Sequence, residues 1–546
     1  MVFGDGSGVY VPPLDLLSWY FRLPPKDIHR PGIKEGDCVI VHSRNDIYLY
    51  PLIFGIIAIG AIYCGTNPII SCDELSQQMQ AADASYIIVE PHLLDLATHA
   101  AERCGLGDGA VSVFNPPGRP LDSDNRFPKF EQLLKAGEMD WISLNTYEAT
   151  KSTPVMRFFS TGATGSPKLG EHSHNSLVAS TLNFISAWRR PTQGNYKMLH
   201  WVGMFHSAIV KMTGMAIKNF YTIYLTRGRD LVSLLEAIPK FQINEVIVPL
   251  PLLNAILKTP DLAQKHYFAT LTRVLVGQHA ISTELRDQFM ELLPPDAEIL
   301  SCYGVQEAGQ IASMPCSQQL DPGLVAAGVC VSGVSFKLMR LEDDRKATQT
   351  LSRQTHGLTP PLSPATSFAS QEEVGVQTPG EILVRSSGLF TKYYNDPVAT
   401  AAALHFDADG DRWFRTGDVG YVSAESQQLY VVGRVKEVFR SAGGQLVSPA
   451  ELEVMLLAHP DILDVAVAPV PANGLLKPDD AVQASASVPR AYVQPVRPDV
   501  KEADIVEWLA ARVPVYKQLK GGVIFVGEIP RHAWGRFVLR DQLAQL

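Results

Sequence analysis

Through the first three quarters of the chain, short apolar and β-branched runs alternate with longer stretches of helical period. Residues 39–42, 86–89, 245–248 and 273–276 have the length and content of buried strands, and each precedes a helical pattern such as 283–293. Alternation of this kind predicts α/β layers built on largely parallel sheets. The most apolar window, 50–64, reads Y-P-L-I-F-G-I-I-A-I-G-A-I-Y-C. It is shorter than the roughly twenty residues that span a bilayer, so it predicts a buried core helix. No segment reads as transmembrane, and no internal repeat is visible.

Two regions depart from the alternation. Residues 343–379 are dense in Ser, Thr and Pro and poor in large apolar residues. Such a segment cannot bury enough surface to offset its ordering entropy, which predicts a disordered surface insertion. From about Gly433 onward the pattern becomes a short α+β one, through 465–470, 504–512 and 522–526. A second domain is expected to begin there.

Composition narrows the class. At 546 residues, one core is too few and two or more domains are the default. An apolar fraction of 46% and a charged fraction of 19% are ordinary for a globular enzyme. The net charge of −9 is spread without long runs and gives no footprint for nucleic acid. Seven scattered cysteines, with no Cys-x-x-Cys pair, predict reduced thiols rather than a disulfide framework or zinc site. The pair His172 and His174 reads as a loop feature rather than a metal site. The N-terminus, M-V-F-G-D-G-S-G, lacks the basic and apolar regions of a signal peptide. A cytoplasmic location follows; the C-terminal L-A-Q-L only distantly resembles a peroxisomal Ser-Lys-Leu address.

The chemistry starts in F-F-S-T-G-A-T-G-S-P-K, residues 158–168. Gly162 and Gly165 let the backbone turn tightly, so that its N–H groups converge on a phosphate. Ser160, Thr161 and Thr164 add hydroxyls, and Lys168 adds a positive charge. The Walker A triplet is missing, and alone such a loop is as readily a surface turn. Three further segments change its weight: S-C-Y-G-V-Q-E-A-G at 301–309, W-F-R-T-G-D-V-G-Y at 413–421, and G-R-V-K-E-V-F-R-S-A-G-G-Q-L-V-S-P-A-E-L-E at 433–453. In order and spacing, the four together resemble the adenylate-forming superfamily, which includes acyl-CoA synthetases, 4-coumarate–CoA ligases, peptide-synthetase adenylation domains and luciferases.

The resemblance implies a large N-terminal AMP-binding domain, residues 1–432, of layered α/β subdomains whose β-sheets are flanked by helices. A small mobile α+β lid, residues 433–546, would follow, pivoting at Lys436. The loop Ser160, Thr161, Gly162, Ala163, Thr164, Gly165, Ser166, Pro167 and Lys168 would hold the β- and γ-phosphates of ATP. Glu307 would hold Mg²⁺. Tyr303, with Gly304 and Gln306 beside it, would pack on adenine, while Asp418 and Arg434 would bind ribose. His206, in G-M-F-H, would gate an acyl pocket lined by Val248, Gly277, Gln278 and Val305, of a shape that suits a flat aromatic or an aliphatic acid. Gly443 and Gly444 would line a tunnel for coenzyme A. The implied reaction joins a carboxylic acid to CoA through acyl-AMP; a carrier protein as acceptor stays open.

Several positions depart from the family pattern. Its C-terminal P-K-S-x-x-G-K reads P-R-H-A-W-G-R here, which puts Arg536 in place of a lysine that bridges the acyl carboxylate and α-phosphate. Arginine keeps the charge but is larger and planar. Gln306 and Ala163 each stand where the family often has threonine. The stretch before Gly36 is short for the usual N-terminal subdomain, which leaves open a native start upstream or a trimmed subdomain. These changes keep open a member that binds nucleotide without turnover. The retained Lys168, Glu307, Asp418 and Arg434 argue for an active ligase.

Overall fold

The computed structural model describes residues 2–4, 33–117, 127–133, 141–160, 168–187, 196–227, 230–277, 281–318, 324–341, 374–441, 443–472, 487–531 and 538–543. Among these residues the strands form two seven-stranded sheets, a six-stranded sheet, a three-stranded sheet and a two-stranded ribbon.

The first seven-stranded sheet centres on Cys38–His42, flanked by Ile62–Thr66 and Ala84–Val89, all parallel. All five residues of Cys38–His42 are buried, as expected of a strand covered on both faces. The expected core helix over 50–64 is instead a helix, Leu49–Ala58, followed by the strand Ile62–Thr66. Gly60, at φ 75°, makes the turn between them. A left-handed residue cannot continue a helix, and Ile62, Tyr63 and Cys64 then favour extended backbone. His172 and His174 lie in no loop: His172 is buried in the strand Lys168–Ser173, and His174 begins the helix His174–Ala187.

In the second seven-stranded sheet, Lys197–His200, Glu245–Ile247, Arg273–Gly277 and Glu298–Val305 run parallel side by side. Their C-terminal ends therefore share one edge, where open α/β sheets bind ligands. Ser282 caps the helix Thr283–Met290 by accepting from the Leu285 N–H. This helix stops short of the expected 293, ahead of Pro294 and Pro295, because residues before proline disfavour the helical region.

The six-stranded sheet is antiparallel throughout and was not legible as βα alternation. It joins Val334–Arg340, Gly380–Ser386, Arg412–Val422, Leu404–Phe406 and Leu429–Arg434, with Val2–Gly4 at one edge. Residues 343–373 of the expected insertion lie outside the described residues. Its last part is packed: Val374 is 5% exposed, and its N–H donates to Leu338 O at 3.0 Å. Downstream, Ile462–Pro471, Ser487–Pro495 and Val523–Phe525 form the small sheet, accompanied by the helices Pro449–Leu457 and Glu502–Ala510. All seven cysteines are free. Among the described residues, no helix is long and apolar enough to cross a membrane.

Candidate active site

The turn between Glu298–Val305 and Gly309–Pro315 organises the site. These strands pair antiparallel with a register shift at Tyr303/Gly304. A Cβ on Gly304 would collide with the Gly309 carbonyl and lie 3.0 Å from Gln310 Cα, and Gly309 itself sits at φ 73°. Only glycines allow this tight reversal, which throws Tyr303 and Glu307 toward different partners.

Tyr303 donates its hydroxyl to Asp418 Oδ2 at 2.8 Å, and Arg434 Nη1 lies 3.0 Å from Asp418 Oδ1. Asp418 and Arg434 face each other on paired strands, and Gly417, at φ 70°, shapes the backbone before the aspartate. The Asp418 N–H donates to Thr416 Oγ1 at 3.0 Å. Burial pushes the Asp418 carboxyl up from its ordinary range, with Glu307 adding to the push, while Arg434 and Tyr303 pull it back. Burial also works against the charge on Arg434. Asp418, Tyr303, Glu437 and Glu307 outweigh it and hold the guanidinium more firmly protonated than usual.

Glu307 is 7% exposed and accepts from the Tyr393 hydroxyl at Oε1, 2.8 Å. Tyr393 comes from the two-residue strand Lys392–Tyr393, laid against Lys168–Ser173. Its ring lies 5.0 Å beneath Lys168 Nζ. Burial, then the negative charge of Glu307, raises the Tyr393 hydroxyl well above its ordinary range. Gln306 donates its amide to Phe158 O, tying the turn to the strand that enters the glycine-rich loop.

Ser160 and Lys168 close that loop as a cross-strand pair, and Ser160 Oγ donates to Lys168 O at 3.2 Å. Thr161, Gly162, Ala163, Thr164, Gly165, Ser166 and Pro167 lie outside the described residues, as do Gln278 and Arg536. Val248 and Gly277 stand at the C-terminal ends of neighbouring strands, and Val305 closes the next one. His206 caps the helix Ser207–Asn219 beside the same edge, its Nδ1 accepting from the Ala208 N–H at 3.3 Å. Asn45 holds the segment before it: its amide donates to Val202 O and accepts from the Met204 N–H, both at 3.0 Å. Lys436 is exposed in the turn after Leu429–Arg434. Gly443 and Gly444 form the tip between Phe439–Arg440 and Leu446–Val447, with Gly444 at φ 79°.

The structure thus gathers Tyr303, Asp418 and Arg434 into one chain of contacts, and Glu307 and Lys168 into another through Tyr393. Sequence reasoning missed Tyr393, Asn45 and Lys211. Lys211 did leave a signal, a lone cation inside the apolar run I-V-K-M-T-G-M-A-I. It is buried, and that burial pushes its ammonium down to about 8, with Glu307 pulling the other way.

Among the described residues, no group of three or more His, Cys, Asp or Glu could hold a metal ion. Glu307 alone offers one hard oxygen ligand, which suits a Mg²⁺ completed by substrate phosphates rather than by a protein cage.

Comparison with known proteins identifies the family. The family model described as AMP-binding enzyme matches residues 28–394. The acyl-CoA ligase azaF of Aspergillus niger is 30% identical over 578 aligned positions, covering 98% of this chain and 99% of the relative. The phenylacetyl-CoA ligase epaB of Aspergillus niger is 30% identical, covering 98% and 97%. The crystal structure of the anthranilate CoA ligase AuaEII with anthranoyl-AMP superposes with a TM-score of 0.75 at 19% identity, covering 94% of this chain and 88% of that one. The chain belongs to the AMP-binding enzyme family, among its acyl-CoA ligases.

Proposed function

We propose that the residues around Asp418 and Glu307 carry out both half-reactions of an AMP-forming acid–thiol ligase, with ATP, a carboxylic acid and coenzyme A as substrates. The observation that carries this reading is the pair of contact chains, Tyr303–Asp418–Arg434 and Glu307–Tyr393–Lys168, issuing from one glycine-bounded turn. One end presents a carboxylate and an aromatic ring suited to a nucleoside, and the other a cation and a carboxylate suited to polyphosphate.

In the first half-reaction, a substrate carboxylate attacks the α-phosphate and pyrophosphate leaves. Both reactants are anions, so the barrier is largely electrostatic. Lys168 and the 160–168 loop would neutralise the β- and γ-phosphates. Asp418 would accept from both ribose hydroxyls, releasing Tyr303 to lie against adenine. Arg434 keeps Asp418 ionised against the cost of its burial. A Mg²⁺ held by Glu307 would supply Lewis-acid charge at the phosphates. Arg536 would bring its guanidinium to the acyl carboxylate from the small C-terminal unit, 433–546, which would pivot at Lys436 against 1–432. His206 would separate the acid from the thiol approach past Gly443 and Gly444.

The names of the relatives favour an aromatic acid, and the pocket edge at Val248, Gly277 and Val305 is apolar enough to accept one. Pyrophosphate exchange over a panel of aromatic and aliphatic acids tests the reading, followed by AMP release with CoA. We expect exchange with at least one aromatic acid and AMP release that depends on CoA. ATP binding without exchange for any acid would overturn the ligase reading. Release only with a phosphopantetheinylated carrier protein would replace CoA as the acceptor.

A further inference from the structure

The helix Ser207–Asn219 carries a lysine on a face that is buried. Ile209, Val210, Met212, Thr213 and Met215 are buried around it, and Lys211 is itself 2% exposed. Its ammonium makes no hydrogen bond or ion pair among the described residues. It lies 3.4 Å from the position a Cβ on Gly309 would take, beneath the turn that carries Glu307. The Glu307 carboxylate is the negative group it feels. His172 lies within its field, buried with neither ring nitrogen hydrogen-bonded, and burial together with Lys211 keeps that imidazole neutral. An enclosed ammonium without a full set of acceptors is costly, and methionine would fill the same space without that cost. A charge retained here acts on its surroundings, and the negative charge it feels is the carboxylate proposed to hold the metal.

We propose that Lys211 is a resident cation at the phosphate end of the site, balancing Glu307 before nucleotide arrives and sharing charge neutralisation of the triphosphate with the divalent ion. The inference rests on the nucleotide reading of Glu307 given above. It follows that this chain should bind ATP appreciably without metal and hold the metal of its ATP complex weakly. A positive charge beside Glu307 attracts phosphate and repels a divalent cation, and both effects are strong in a low-dielectric enclosure.

Calorimetric ATP binding in EDTA, and Mn²⁺ binding to the ATP complex by electron paramagnetic resonance, test this on the full chain without acid substrate. For Lys211→Met, ATP affinity in EDTA should fall about tenfold or more, while Mn²⁺ should bind the ATP complex about tenfold or more tighter. A packing defect would weaken both, so the opposite signs separate a charge effect from damage. Equal-signed changes, or no change in either, would overturn the proposal. Lys211→Gln provides the same comparison if the methionine variant does not fold. Glu307→Gln separates the two levels of inference, because it should lose Mn²⁺ binding beyond that of free ATP. If Glu307→Gln leaves Mn²⁺ binding intact, the metal role of Glu307 falls and the proposal with it. If Glu307→Gln loses it and Lys211→Met changes nothing, the role of Lys211 alone falls.

Discussion

Tyr393 donates its hydroxyl to Glu307 at 2.8 Å although 86 positions separate the two residues. The same ring lies under Lys168, so one side chain sets the spacing between a cation and a carboxylate at the phosphate end. Tyr393→Phe keeps the ring and removes only the donor. Stability should fall by about 1 kcal/mol, the usual worth of such a bond, read from the denaturant midpoint. Pyrophosphate exchange should fall about tenfold at saturating ATP, because Glu307 loses its fixed orientation. An exchange rate equal to wild type would show that the bond is only structural.

Asp418 sits between Tyr303 and Arg434 and is 6% exposed. In Asp418→Ala both carboxylate oxygens proposed to accept from ribose disappear, and Arg434 is left facing a gap. ATP binding should weaken by about 2 kcal/mol, roughly thirtyfold, measured calorimetrically. Unchanged ATP affinity would remove the nucleoside from this end of the site.

Gly304 has no room for a methyl group, because a Cβ there meets the Gly309 carbonyl and the Gln310 Cα. Gly304→Ala must open the turn that carries both Tyr303 and Glu307. We expect a loss of more than about 2 kcal/mol in unfolding free energy. ATP binding should fall with it, even under conditions where the variant is fully folded.

His42 is enclosed beside Thr66, with Nδ1 2.8 Å from the Thr66 hydroxyl and Nε2 without a hydrogen-bond partner. Burial, helped by His92, pushes its imidazole down to about 4 from an ordinary 6.5. The folded pKa lies below the unfolded one, so the unfolded chain takes up the proton first as pH falls. Stability should therefore drop between about pH 6.5 and pH 4, by up to about 3 kcal/mol from this residue. His42→Gln should flatten that part of the pH–stability curve; an equally steep curve would assign the acid sensitivity elsewhere.

Arg536 stands where the family pattern has lysine. Arg536→Lys should raise pyrophosphate exchange while leaving ATP affinity unchanged, because the proposed role of the side chain is at the acyl carboxylate. Arg536→Ala should abolish exchange and still bind ATP. A lysine variant that is no faster than wild type would mark the arginine as adapted to its lid.

Much of this protein was readable from local pattern. The strand at 39–42 shows as a short β-branched apolar run ending at His42, and both its faces are covered. Four separated motifs, in order, pointed to the nucleotide chemistry before any contact was known.

Other features were decided only when distant segments met. The window 50–64 has one apolar composition throughout, yet Gly60 divides it into a helix and a strand whose identity comes from pairing with Cys38–His42. The antiparallel sheet around Arg412–Val422 is assembled from strands far apart in sequence, and local periodicity carries no record of such partners. Tyr393 has nothing near it in the chain to mark it as the partner of Glu307. Lys211 shows in the sequence only as a lone cation within an apolar run; helix packing is what leaves its ammonium with Glu307 for company. The sequence by itself determined the family, the chemistry-bearing residue types and several buried parallel strands, because those depend on local spacing and burial. Tertiary structure decided which charges face one another, because electrostatic interaction depends on distance in space and on the dielectric around it.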